Sequence, residues 1–252
     1  MAENPFAIAL KNDLEAVRSG LPADLNIQRF VNNAVALLGA NSGLQKFARE
    51  NENGSWQIKA GLMRGAYLGL DALRNEFYLI PYGNKLDFRI DYRGEQKLVE
   101  KYSIRPVKEI YAKVVRKGDD FEEVITNGVP SVNFRPLPFN ESPVIGAFAV
   151  CLFKDGGMIY EVMSLSELNA VEAKSQKSEA WKSFPNEMRK KAVLRRLCKH
   201  IKVDFESKEQ ADIYNADMGM SFDDNPDPKE VAETEGNSEE FIIEGEEDES
   251  DS

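Results

Sequence analysis

The sequence predicts an α+β protein: an antiparallel sheet with a hairpin, flanked by helices and followed by a disordered acidic tail. Three observations carry this. Apolar residues recur near the 3.6-residue helical period at both ends of the body. The middle alternates with a period of two between turn residues. From Asp217 to Ser252 there are fifteen Asp or Glu and one base, Lys229.

That last feature reshapes the charge balance. The chain has 252 residues and a formal net charge of −11. The Asp217–Ser252 segment alone carries −14, which leaves a mildly basic body of +3. The segment is poor in aromatics and cannot bury enough apolar surface to offset the entropy of ordering, so disorder is expected there. A division into a 1–205 body and a 206–252 acidic tail follows. The tail contains one apolar island, Phe241-Ile242-Ile243, of the kind that docks on a partner protein.

Composition also excludes chemistry. No apolar run approaches the ~18 residues of a membrane span, and Met1–Leu10 lacks the order of a secretion signal. Cys151 and Cys198 are far apart and His200 is the single histidine, which removes His/Cys zinc sites. A Ser-His-Asp or Cys-His enzyme would need His200, which lies in a dense basic run. No GxxxxGK[ST] occurs, so a P-loop ATPase is excluded.

The elements read in order as follows. Leu25, Ile27, Phe30, Val31, Ala34, Val35 and Leu38 keep helical spacing after Asp24, and Asn41-Ser42-Gly43 breaks the run. A second helix is expected over Ile58–Ala72. Gly61, Gly65 and Gly69 recur there at four-residue spacing, a costly choice that points to close packing by another element or subunit. Phe77–Ile80 and Leu86–Ile90 flank Pro81–Lys85 as a hairpin with a Gly83-Asn84 turn. A helix over Arg93–Lys101 follows. Strands are expected at Val107–Arg116, Phe121–Thr126, Val144–Phe153 and Met158–Met163. Ser164 to Glu167 fits a capping box, and Pro185 opens a helix running to about Ile201.

The helix from Pro185 carries the main functional signal. Val193, Leu194, Leu197, Cys198 and Ile201 fall on one arc; Lys191, Arg195, Arg196 and Lys199 fall on the opposite one, with Arg189 and Lys202 beside them. Lys190 projects nearer the apolar arc. Lys191, Arg195 and Lys199 step by four residues, about 6 Å each. Only Glu187 offers an acid along this run, whereas solvated faces mix signs. The row therefore predicts an anionic partner, DNA or RNA. Around the hairpin a second basic group, Arg64, Arg74, Lys85, Arg89, Arg93, Lys97 and Lys101, interleaves with Tyr67, Tyr78, Tyr82, Phe88 and Tyr92. Cations beside aromatics suit single strands, whose bases stack while their phosphates pair. Phe88 shares its strand face with Leu86 and Ile90, which reads as core.

Three stretches resemble the RecT family of phage and prophage single-strand annealing proteins. The first runs from Gly69-Leu70-Asp71 through Phe77–Lys85 to Phe88–Gly94. The second is Val114–Phe121. The third runs from Lys154–Met163 to Trp181, Met188–Lys191 and Leu194–Leu197. They span about Ile58–Val203. Asp91 stands where the family commonly has Gly, and Ala192 where it has Thr. The resemblance implies single-stranded DNA binding and ATP-independent annealing, with no cofactor. It also implies rings or filaments of many copies and a bacterial cytoplasmic setting. A partner exonuclease is the implied partner, and the tail's Phe241–Ile243 island would meet either that exonuclease or the host single-strand-binding protein. Phosphate contacts are expected from Arg89, Arg93, Lys97, Lys190, Lys191, Arg195, Arg196 and Lys199, and stacking from Tyr82 and Tyr92.

Two rivals are weighed against this. Asp87, Asp91, Glu95 and Lys97 imitate the D…(D/E)xK cluster of a metal-dependent nuclease. Alternatively the glycine helix and tail form a protein-interaction scaffold that makes no DNA contact.

Overall fold

The computed structural model describes residues 4–174 and 179–219. Four helices open the chain: α1 (Pro5–Ala16), α2 (Ile27–Ala40), α3 (Ser42–Glu50) and α4 (Gly54–Leu68). Asparagine side chains start three of them. Asn4, Asn26 and Asn41 accept from the backbone N–H of Phe6, Arg29 and Leu44, satisfying donors that a helix leaves unpaired. Asn41 thus ends α2, as the break predicts, and at once caps α3, a helix the periodicity did not mark.

α4 carries the glycines and stops earlier than expected. Gly69, at φ +68°, forms a left-handed cap, and Leu70 N–H reaches back to the Gly65 carbonyl at 2.9 Å. The helix therefore ends at Leu68, not Ala72. The close-packing element is the hairpin of the same chain, β1 (Phe77–Tyr82) with β2 (Lys85–Ile90). A Cβ on Gly61 would lie 2.5 Å from Leu79 Cδ2, and one on Gly65 2.5 Å from Phe77 Cε1. Gln57 of α4 then pins the turn, donating to Asn84 O and accepting from Leu86 N–H.

Beyond the hairpin come α5 (Tyr92–Tyr102) and a three-stranded antiparallel sheet in the order β3 (Val107–Arg116), β6 (Val144–Phe153), β7 (Met158–Ser164). A second hairpin, β4 (Asp120–Thr126) with β5 (Val129–Arg135), lies between β3 and β6 in sequence; β5 was not foreseen. The central strand β6 is apolar on both faces because both are covered. Ala147, Ala149, Cys151 and Phe153 face one cluster, while Phe148 and Val150 pack with Phe121 and Phe134 of the second hairpin. α6 (Leu165–Lys174), α7 (Glu179–Ser183) and α8 (Pro185–His200) follow. The capping box is formed: Ser164 N–H donates to Glu167 Oε2 at 2.9 Å, and Glu167 N–H donates to Ser164 Oγ at 3.3 Å.

One helix lies in the stretch assigned to the tail. α9 (Lys208–Gly219) packs on α4 and the hairpin and buries Gln210, Tyr214 and Asp217. Gln210 Nε2 donates to Tyr67 O at 2.9 Å, and Tyr214 joins the core beneath α4. Asp217, read as the start of the acidic segment, is 2 % exposed within this helix. The island Phe241-Ile242-Ile243 lies outside the described residues.

Candidate nucleic-acid interface

α8 folds as its pattern dictates: Val193, Leu194, Leu197, Cys198 and the cap residue Ile201 are buried against β6 and its neighbours. Its cations therefore point away from the sheet. That arc is not open solvent along its whole length, because α5, α6, β7 and α9 border it and supply carboxylates.

Lys191 Nζ lies 2.7 Å from Asp91 Oδ2 at the start of α5. Arg195 Nε donates to Glu95 Oε1 at 2.9 Å, and its Nη2 lies 3.7 Å from Asp217 Oδ2 of α9. Arg196 turns the other way, 2.7 Å from both Glu161 of β7 and Glu167 of α6. Lys190 pairs with Glu187 of its own helix. Lys199 is exposed in the last turn. The row that reads as one positive stripe is thus divided between two sides of α8, and acids distant in sequence accompany its central members.

The hairpin and α5 cations are also engaged. Arg89 Nε pairs with Asp87 at 2.5 Å. Lys97 Nζ donates to the Gly69 carbonyl at 2.8 Å and pairs with Glu76 at 2.6 Å. Tyr82 is half-buried, and burial pushes its phenol pKa upward.

One grouping brings cations and rings together at the surface. Asp91 caps α5, accepting from Arg93 N–H, which fixes the orientation of the first turn. Tyr92, partly exposed, then has the Arg93 guanidinium 5.1 Å from its ring centre and Lys191 Nζ at 5.3 Å. Lys191 also lies 6.0 Å from the Tyr78 ring on β1. Three elements converge here, with Arg93 exposed. Cations held over ring faces suit a surface that takes up a base and a phosphate together. In the sequence Tyr78 is one aromatic among several around the hairpin.

Beneath this surface is a buried charge cluster. Glu95 has no solvent exposure. Burial drives its carboxyl up to about 7, aided by Asp217 and Asp91 and opposed by Arg195. Asp217 is raised chiefly by burial as well, and its Oδ1 accepts from Ile90 N–H at 3.1 Å. Glu95 and Asp91 belong to the rival nuclease reading of the sequence, and Asp217 to the segment expected to be tail. Ile213, Tyr214 and Met218 keep helical spacing with Gln210 and Asp217, the signal from which α9 was readable.

The nuclease arrangement does not assemble. Asp87, Asp91 and Glu95 each face a different cation, and Lys97 turns to Glu76. Among the described residues no three His, Cys, Asp or Glu side chains gather with metal-ligand geometry. Cys151 and Cys198 are buried free thiols, and desolvation pushes the Cys151 thiol up to about 11. No described helix is long and apolar enough to cross a membrane.

A family model described as "RecT family" matches residues 28–232, from α2 through the hairpin, α5, the sheet, α8 and α9. The chain belongs to the RecT family. It is also 26 % identical over 204 residues to Protein RecT of Escherichia coli (strain K12), covering 76 % of this chain and 72 % of that protein. Membership places it among DNA recombination and annealing proteins. The Tyr92 grouping and the buried cluster both lie inside the region matched to the RecT family; all of α1 precedes it.

Proposed function

We propose that this chain binds single-stranded DNA and anneals complementary strands in phage-type recombination, without ATP and as an oligomeric ring or filament. The carrying observation is the Tyr92 ring with Arg93 and Lys191 beside it, within the RecT-matched region. Annealing requires backbone charge to be neutralised while base edges stay available for pairing. A stacking ring with flanking cations meets that requirement without reading sequence.

The expected contacts divide by their surroundings. Arg93, Lys191, Lys190 and Lys199 are the leading phosphate ligands, with Tyr92 the leading stacking residue. Arg89 and Lys97 are adjacent ligands and Tyr82 is a secondary ring; at Lys191 and Lys190, as at Arg89 and Lys97, the paired acid must yield to phosphate. Arg195 and Arg196 act chiefly as braces, because each holds two carboxylates. The body extends through α9, with the acidic segment following it. A partner exonuclease and the host single-strand-binding protein, met in the bacterial cytoplasm, complete the reading.

The test is annealing of complementary oligonucleotides by the full chain without nucleotide. Acceleration that survives Arg196→Gln and falls in Tyr92→Ala/Arg93→Ala is expected. Absence of acceleration in the wild-type chain overturns the proposal. The scaffold alternative predicts no shift of a long oligonucleotide at low salt.

A further inference from the structure

The buried cluster contains more carboxylates than cations. Asp91 and Glu95 come from the start of α5, Asp217 from the end of α9; Lys191 and Arg195 come from α8. Three acids therefore share two bases. The geometry shows where the deficit falls. Among the described residues, Glu95 Oε2 and Asp217 Oδ2 are buried with no hydrogen-bond donor, and the Tyr214 hydroxyl, electrostatically coupled to both, is likewise unpartnered. A buried carboxylate oxygen without a donor is costly, and a proton on one of the two removes both the charge excess and the missing bond.

Among the described residues, the other charged groups around the cluster do not correct the excess. From β2, Arg89 and Asp87 pair with each other. From α8, burial holds the Cys198 thiol neutral, and from α9 it does the same for the Tyr214 phenol. Glu100, further along α5, adds negative charge near Cys198.

We propose that α9 is a detachable clasp whose docking on the hairpin, α5 and α8 takes up one proton, so that raising the pH through neutrality loosens it. Departure of α9 removes Asp217 from Arg195 and from Ile90 N–H, returns water to Glu95, and leaves Asp91 and Glu95 matched by Lys191 and Arg195. The proton held by the docked cluster is then released, so rising pH favours the open form. The acidic segment after α9, with fourteen Asp or Glu against Lys229 in residues 220–252, would be freed at its root. This inference stands apart from the DNA reading, and its test contains no DNA.

The experiment is hydrogen exchange of the α9 amides in the full chain between pH 6 and 8, corrected for intrinsic rates. One linked proton gives about a tenfold fall in protection over that span. Glu95→Gln makes the cluster neutral, so α9 protection should stay high and vary less than twofold with pH. Asp217→Asn supplies a second neutral variant should Glu95→Gln fail to fold. His200→Gln, which changes an exposed side chain near Glu161, should keep the wild-type slope. A wild-type profile flat within twofold overturns the proposal. So does a slope that persists in the neutral variants or disappears with His200→Gln.

Discussion

Arg195 and Glu95 stand 100 positions apart in sequence, yet their side chains meet at 2.9 Å and join α8 to α5 beneath the candidate DNA surface. The most regular cation of the α8 row is a brace of the fold. Its removal should therefore register first as lost stability.

Arg195→Ala leaves the carboxylates of Glu95 and Asp217 facing a cavity. Breaking a buried pair by removing one partner costs about 3–5 kcal/mol. Urea denaturation at pH 7.5 should show a loss of that order. A loss below about 1 kcal/mol would return Arg195 to the list of direct phosphate ligands.

The Tyr92 grouping gives opposite behaviour, with weakened DNA binding in a stable protein. Tyr92→Ala should cost about 1–3 kcal/mol of single-strand affinity, while Tyr92→Phe keeps most of it. Arg93→Ala should lower the slope of log affinity against log salt by about one. Fluorescence anisotropy across a salt titration separates the two effects. Equal affinities for all three variants would move the contact elsewhere.

Glycines predict a ranking. A Cβ on Gly94 would fall 2.1 Å from the Glu76 carbonyl oxygen, which is backbone and cannot turn aside. At Gly61 the obstacle is the tip of the Leu79 side chain. Gly94→Ala should cost about 2–3 kcal/mol by overpacking. Gly61→Ala should cost about 1 kcal/mol, since alanine regains about 1 kcal/mol of helix preference. Melting curves giving the reverse order would contradict the packing described.

Two glutamates should titrate in opposite directions. Hydrogen bonding to Arg196 and the Ser164 cap hold the Glu167 carboxyl down at about 2. Its stabilising contribution is present above the ordinary 4.5 and is lost as pH falls toward 2. Glu95 is raised from 4.5 to about 7, so its contribution is present below 4.5 and is lost as pH rises to about 7. Carboxyl-carbon NMR should resolve both. A Glu167 value near 4.5 would remove its pairing with Arg196, and a Glu95 value near 4.5 would contradict its burial.

Much of the fold was legible because local periodicity and turn chemistry agreed with it. β3 and β6 fall on their expected bounds, and the hairpin, capping box and Pro185 start are where the residues placed them. α3 was hidden because Asn41 works as terminator and cap at once. α9 was hidden because the charge of the segment after it outweighed the helical spacing of Gln210, Tyr214 and Asp217. At the site, the sequence supplied the cations and rings, but each was read beside its chain neighbours.

By itself, then, the sequence determined the α+β class, the apolar arc of α8, the basic body with its acidic end, and the motifs of the RecT family. Tertiary structure alone decided which charges remain at the surface. Ion pairing depends on distance in space: Asp91, Glu95 and Asp217 reach α8 only when α5 and α9 pack beside it, and that neutralisation cannot be read along the chain.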